Sequence, residues 1–228
     1  LEALGERKKA APYLQRAAFP ASINGAVLPE TSPMAAAADD AKRNPRDATK
    51  VIPHVRLLLA QGNWAQSRSE IATLIDGNQG VVDAHILAGD IERIAGNMQA
   101  AIAAYERARR ISFSTPVMIR LVNSYRKSGK GEAARKTLSE FLSFNPSSVA
   151  ALRLVAYDHL DNKRWKDAIP GLLAVRSRVG YNDAILNANL ARAYSGMGDH
   201  DAAIREAALA YRISPANPLA TFTYGQVL

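Results

Sequence analysis

Small and apolar residues recur along this chain with two nested periods. Over a dozen residues at a time they fall three and four apart, as in "GNMQAAIAAYERA" from Gly96 and "GMGDHDAAIREAALA" from Gly196. That spacing gathers them on one face of a helix. Over the whole chain the same unit returns at a near-constant interval. Gly62, Gly96, Gly129 and Gly198 mark the turn inside each unit, and Lys163 takes the slot once, so the steps are 34, 33, 34 and 35 residues. One helix pair per period of this length predicts a solenoid of stacked helices.

Setting each unit to begin 14 residues before its turn gives repeats at 48–81, 82–114, 115–148, 149–183 and 184–217. Position 8 is then Val55, Gly89, Val122, Ala156 and Ala191, short side chains that suit a close helix crossing. Position 20 is Ser67, Ala101, Ala134, Ala168 and Ala203. Position 24 is Ile71, Tyr105, Leu138, Leu172 and Ala207, and position 27 is Leu74, Ala108, Phe141, Val175 and Ala210. Positions 20, 24 and 27 share one helix face. Pro146 and Pro215 fall at position 32, where proline ends a second helix.

These columns resemble the tetratricopeptide repeat. The last complete repeat carries Leu190, Ala191, Tyr194, Gly198, Ala203, Ala210 and Pro215 at the signature places, and the third carries Leu121, Tyr125, Gly129, Ala134, Phe141 and Pro146. The resemblance covers residues 48–228, with a weaker piece at 1–20. Departures occur: Glu92 and His159 stand where the Tyr is expected, Gln79 and Gly180 where the Pro is. The resemblance implies an all-α fold, a right-handed α–α superhelix of antiparallel helix pairs.

Outside the five repeats the period breaks. Residues 1–20 read as the second helix of a truncated repeat, with Gly5, Ala10, Leu14 and Ala17 in phase. Residues 21–47 read as an irregular linker, rich in proline and holding an Asn-Gly pair, with a short helix from Met34 that stops at Pro45. Pro53 predicts a late start or a bend in the helix that follows. Residues 218–228 read as the first helix of a truncated sixth repeat. Its apolar Phe222, Tyr224 and Leu228 are expected to lack a cap and to favour self-association.

Composition agrees with an extended alanine-rich core: 48% of the 228 residues are apolar and only 7% aromatic. There is no cysteine, which excludes disulfides, thiolate metal sites and thiol catalysis. No stretch is long and apolar enough to read as a membrane span. The formal charge of +8 is concentrated. Between Tyr105 and Lys136 stand Arg107, Arg109, Arg110, Arg120, Arg126, Lys127, Lys130, Arg135 and Lys136 against only Glu106 and Glu132. Such a segment is either a solvated face or a docking surface for an acidic protein, an anionic polysaccharide or a membrane surface. Nucleic acid is disfavoured, because aromatic side chains that stack on bases are not interleaved with these arginines.

The residues offer no catalytic constellation and call for no cofactor or metal. His54, His85, His159 and His200 are scattered, and no pair stands at the helical spacing a zinc site needs. His54 and His159 fall at packing positions 7 and 11. "SGKGEAARKT" lacks the Gly-Lys-Ser/Thr ending of a phosphate loop. The chain reads as a binding protein rather than an enzyme.

In the family it resembles, positions 2, 5, 9, 12 and 13 of successive first helices line a concave groove. Here they and their neighbour at position 6 supply Asp90, Arg93, Asn123, Arg126, Lys127, Arg153, Tyr157, Asn189 and Arg192, the expected peptide-binding residues. Asparagine amides suit an extended backbone and arginines suit acidic side chains or a terminal carboxylate. The family's two-carboxylate clamp is excluded, since only Asn123 and Arg153 overlap its pattern. The remaining cations, Arg107, Arg109, Arg110, Arg120, Lys130, Arg135 and Lys136, form the candidate basic patch. The closing run also resembles bacterial envelope proteins of exopolysaccharide and exosortase systems, through Pro215, Asn217, Pro218, Thr223, Gly225, Val227 and Leu228. That resemblance implies a periplasmic or envelope assembly scaffold.

Overall fold

Each of the five phased turn positions holds its backbone in the left-handed region: φ is 75° at Gly62, 84° at Gly96, 70° at Gly129, 81° at Gly198 and 56° at Lys163. Glycine adopts that conformation without a Cβ clash, whereas Lys163 takes it at a cost of about 1 kcal/mol. The turn reverses the chain within three residues and sets two helices side by side. Repeated, it builds the five helix pairs of residues 48–217.

The computed structural model describes residues 33–228, together with a two-residue antiparallel pairing of Ser22–Ile23 (β1) with Ala26–Val27 (β2). The paired strands stand where a plain loop is expected from sequence. The helix expected over residues 1–20 lies outside the described residues. The helices are α1 (Pro33–Arg43), α2 (Ala48–Ala60), α3 (Trp64–Gly77), α4 (Val82–Ile94), α5 (Met98–Ile111) and α6 (Thr115–Lys127). They continue as α7 (Gly131–Phe144), α8 (Val149–Asp161), α9 (Trp165–Val179), α10 (Ala184–Met197), α11 (His200–Ile213) and α12 (Pro218–Val227). Each packs on the next in sequence, giving an all-α superhelix of antiparallel pairs.

Helix α2 starts at Ala48 and not late, in spite of Pro53. Asp47 caps it, its carboxylate accepting from the Thr49 amide at 2.8 Å and the Thr49 hydroxyl at 2.7 Å. Those two bonds hold the Asp47 carboxyl below its ordinary range. Pro53 removes one helical bond, but Pro53 and Thr49, whose carbonyl goes without it, are both exposed, so water replaces the lost donor.

The core follows the periodic columns. Every residue at positions 8, 20, 24 and 27 of the five repeats is buried. Bulk is exchanged between facing positions. Gly89 lies flat against the Tyr105 ring, and a Cβ there would come within 2.3 Å of it. Phe141 meets Phe113 edge to face at 5.1 Å between centroids. In α10 every residue from Leu186 to Ala191 is buried.

The two faces of the superhelix differ. First helices touch one another directly where α2 meets α4, α6 meets α8, α8 meets α10 and α10 meets α12. Second helices α3, α5, α7, α9 and α11 stand further apart, so the outer face carries a furrow between each pair.

Candidate peptide-binding groove

The inner wall is built by α4, α6, α8, α10 and α12, and its character is set by arginines that meet carboxylates from the neighbouring repeat. Arg120 of α6 forks onto Asp90 of α4, with Nε to Oδ1 at 2.9 Å and Nη2 to Oδ2 at 2.9 Å. The Tyr105 hydroxyl donates to the same Oδ1 at 2.7 Å. Burial and this carboxylate both push the Tyr105 phenol well above its ordinary range. Arg126 of α6 pairs with Asp161 of α8, and Arg153 of α8 pairs with Asp183. Asp183 also caps α10, accepting from the Leu186 amide at 2.9 Å. Burial pushes the Asp183 carboxyl up, but Arg153 and that amide outweigh it and hold the group low.

A hollow of about 280 Å³ opens where α6, α8, α10 and α12 converge. Its walls are Arg126, Tyr157, Asp161, Asn189 and Arg192, with Leu160, Ile185 and Leu219 supplying apolar surface. Asn189 is buried at its base, its amide donating to the Ile185 carbonyl at 2.9 Å while its oxygen accepts from Arg192 at 3.1 Å. Those bonds orient the Arg192 guanidinium and leave its other donors free for a guest. Four of the nine residues expected in the groove therefore gather at one hollow. Arg153 stands next to it on α8, engaged by Asp183. Asp90 and Arg93 lie apart on α4, where Asp90 is bound by Arg120, and Asn123 and Lys127 are exposed on α6 away from the hollow.

The basic patch does not form one surface. Arg120 is on the inner wall with Asp90. Arg109 of α5 is held by Glu106 at 3.2 Å and by Glu140 of α7, and its guanidinium covers the Phe113 ring at 4.7 Å. Arg135 pairs with Glu132 and reaches Asp158 at 3.8 Å. Lys130 donates to Gln99 at 3.0 Å. Arg107, Arg110 and Lys136 are exposed and make no ion pair among the described residues.

Sequence reasoning missed the carboxylates that answer these cations, Asp183, Glu140, Asp158 and Glu206. Asp183, Glu140 and Glu206 lie 30 or 31 residues beyond Arg153, Arg109 and Arg176, near one repeat on, and that offset is the signal that could have found them, whereas Asp158 lies only 23 beyond Arg135. The histidines are structural where they are enclosed: His54 is buried with Nδ1 at 2.7 Å from Glu70, and His85 is buried with Nε2 at 2.9 Å from the Gln79 carbonyl. No cluster of three metal-capable side chains occurs among the described residues, and no described helix is long and apolar enough to cross a membrane.

Comparison with known proteins agrees with this architecture. No curated protein matches the sequence. Solved structures do. YrrB, described as a TPR protein with an unusual peptide-binding site, shares 16% identity, with a TM-score of 0.62 over 84% of this chain and 99% of that one. PilW, a type IV pilus biogenesis factor, shares 14% identity, with a TM-score of 0.68 over 82% and 87%. The Cut9–Hcn1 hetero-tetramer of the APC/C shares 17% identity at a TM-score of 0.58, covering 85% of this chain and 45% of that one. Family models for the tetratricopeptide repeat match residues 53–114, 119–181 and 184–217. With the repeat matched over most of its length and built as stacked helix pairs, the chain belongs to the tetratricopeptide repeat family, a family of non-catalytic scaffolds.

Proposed function

We propose that this scaffold holds an extended segment of a partner protein in the concave groove, anchored at the hollow between α6 and α12. The observation that carries the reading is the convergence of Tyr157, Asn189 and Arg192 beside apolar Ile185 and Leu219. A pocket that pairs apolar walls with a few oriented polar groups is what peptide recognition requires. Binding by other members supports it, since YrrB carries a peptide site and Cut9 stands in complex with Hcn1.

The charge of the segment is narrower than it looks. Arg126 and Arg153 already hold Asp161 and Asp183, so an acidic guest exchanges with resident carboxylates instead of meeting bare cations. Arg192 is the better anchor for a side-chain or terminal carboxylate. An envelope role through an anionic polysaccharide rests on the cations of the 105–136 segment that hold no carboxylate among the described residues, Arg107, Arg110, Lys127, Lys130 and Lys136, and the similarities above do not single out the envelope systems. We therefore place the partner among proteins.

The test is a peptide array drawn from the source proteome, followed by titration of the best binder. Tyr157→Ala with Arg192→Ala is expected to weaken it at least about tenfold, the loss usual for a central anchor. Unchanged affinity in a folded double variant removes the groove from the account.

A further inference from the structure

A second cavity, larger than the hollow of the inner wall, is on the other face. Between α3 and α5, over the back of α4, the first outer furrow encloses about 780 Å³. Three substitutions at repeat positions open it. The signature Tyr at position 11 is Glu92 here, turned to Arg68 at 2.6 Å and to Asn97, whereas Tyr125 and Tyr194 at that position pack into the neighbouring apolar clusters. Position 28, which in α5 and α9 is an arginine reaching the next second helix through Arg109–Glu140 and Arg176–Glu206, is Ile75 in α3. The wall on α5 is alanine at Ala100, Ala103 and Ala104. The furrow is thus unfilled and unbridged, with Ile71, Ile75, Ala88 and Ile91 giving it an apolar strip beside the Arg68–Glu92 pair.

Its rim is charged. Arg107 and Arg110 stand on the α5 side, exposed and without an ion pair among the described residues, and Asp76 stands on the α3 side. We propose that this furrow is a second docking site, which takes an amphipathic helix of a partner protein with acidic residues along the flank facing α5. The backbone groups of α3 and α5 are engaged in their own helices, so the furrow offers an extended strand no ladder. A strand would bury unpaired amides there, whereas a helix brings its own bonds. Each wall is a helix of 14 residues, about 21 Å, which matches a guest of roughly four turns. Alanine walls allow close helix approach. A purely anionic polymer would meet the rim and leave the apolar strip uncovered.

The experiment is selection from a displayed library of random 16-residue peptides on the full chain, with counter-selection on Ala103→Trp. Ala103 is exposed, so the indole occupies the furrow without entering the core, and melting checks that the variant folds. The expected survivors carry apolar residues three and four apart with Glu or Asp on one flank. Against the best of them, Ala103→Trp weakens binding at least about tenfold and Arg107→Glu with Arg110→Glu about tenfold, in a salt-dependent way. Arg192→Ala leaves it unchanged, which separates this site from the concave groove. Hydrogen exchange slows in the peptide and along α3 and α5. Failure to enrich any sequence overturns the proposal. So does enrichment without helical spacing, or displacement of the peptide by polyglutamate or by phosphatidylglycerol vesicles at matched charge.

Discussion

The α4–α5 and α10–α11 pairs solve the same packing problem in opposite ways. In α4–α5 the facing positions 8 and 24 are Gly89 and Tyr105, and a full aromatic ring fills the space that a missing Cβ leaves. In α10–α11 the same positions are Ala191 and Ala207, and the helices close on each other with no large side chain between them. Glycine with tyrosine is bulkier than two alanines, so the fold requires contact without a gap and not one summed volume, and the way each pair reaches it is free. The difference has a functional consequence. Only the tyrosine carries a hydroxyl through the core to the inner wall, where it holds Asp90 and through it Arg120. The alanine pair leaves the wall above it to Asn189 and Arg192.

The comparison breaks most severely at Gly89. Gly89→Ala drives a Cβ into the ring and is expected to cost about 3 kcal/mol, against about 1.5–2 kcal/mol for the reverse change, Ala191→Gly, which loses helix propensity and one buried methyl. Denaturant midpoints at constant slope measure both, and equal costs refute the contrast drawn here. Tyr105→Phe sharpens the second half of the argument. It keeps the ring and removes one hydrogen bond to a carboxylate, at about 1–2 kcal/mol.

A pH titration gives the same contrast a sign. The Tyr105 phenol is held above its ordinary range, and Tyr125, half-buried and donating to Glu106 at 2.8 Å, is pushed up to about 12. Both keep their protons in the folded state after the unfolded chain has lost them near pH 10. Stability contributed by these groups is complete below that pH and falls as the pH rises towards 12. Base-induced unfolding should therefore shift to higher pH in Tyr125→Phe, followed by circular dichroism. The smallest effect is a gain. Lys163→Gly relieves the left-handed strain and should stabilise by at most about 0.5 kcal/mol after the entropy of the added glycine is counted, read as a rise in Tm.

The repeating features were legible because they recur. The turn slot is visible even at Lys163, where the residue type argues against it and only the phase argues for it. The buried columns are legible for the same reason, since one register must satisfy five copies at once. The inter-repeat ion pairs were not legible. Asp183 looks in sequence like an isolated helix cap and Glu140 like a solvated surface residue, and nothing local to either names its arginine. Long side chains find their partners by geometry between helices, which a period predicts only to within a turn. The start of α2 was misjudged at Pro53 because the cap at Asp47 and the exposure of the freed carbonyl compensate for the proline.

The ion pairs of the inner wall also make the array a spring whose coils are tied by reversible clips. Asp90–Arg120, Arg126–Asp161 and Arg153–Asp183 each join one coil to the next, and each is open enough to exchange with ions from solution. Salt concentration therefore acts on the compliance of the spring as well as on its charge. On the proposed groove reading, a guest carboxylate taken by Arg126 or Arg153 would unfasten a clip and relax that coil, whereas one taken by Arg192 would leave every clip closed.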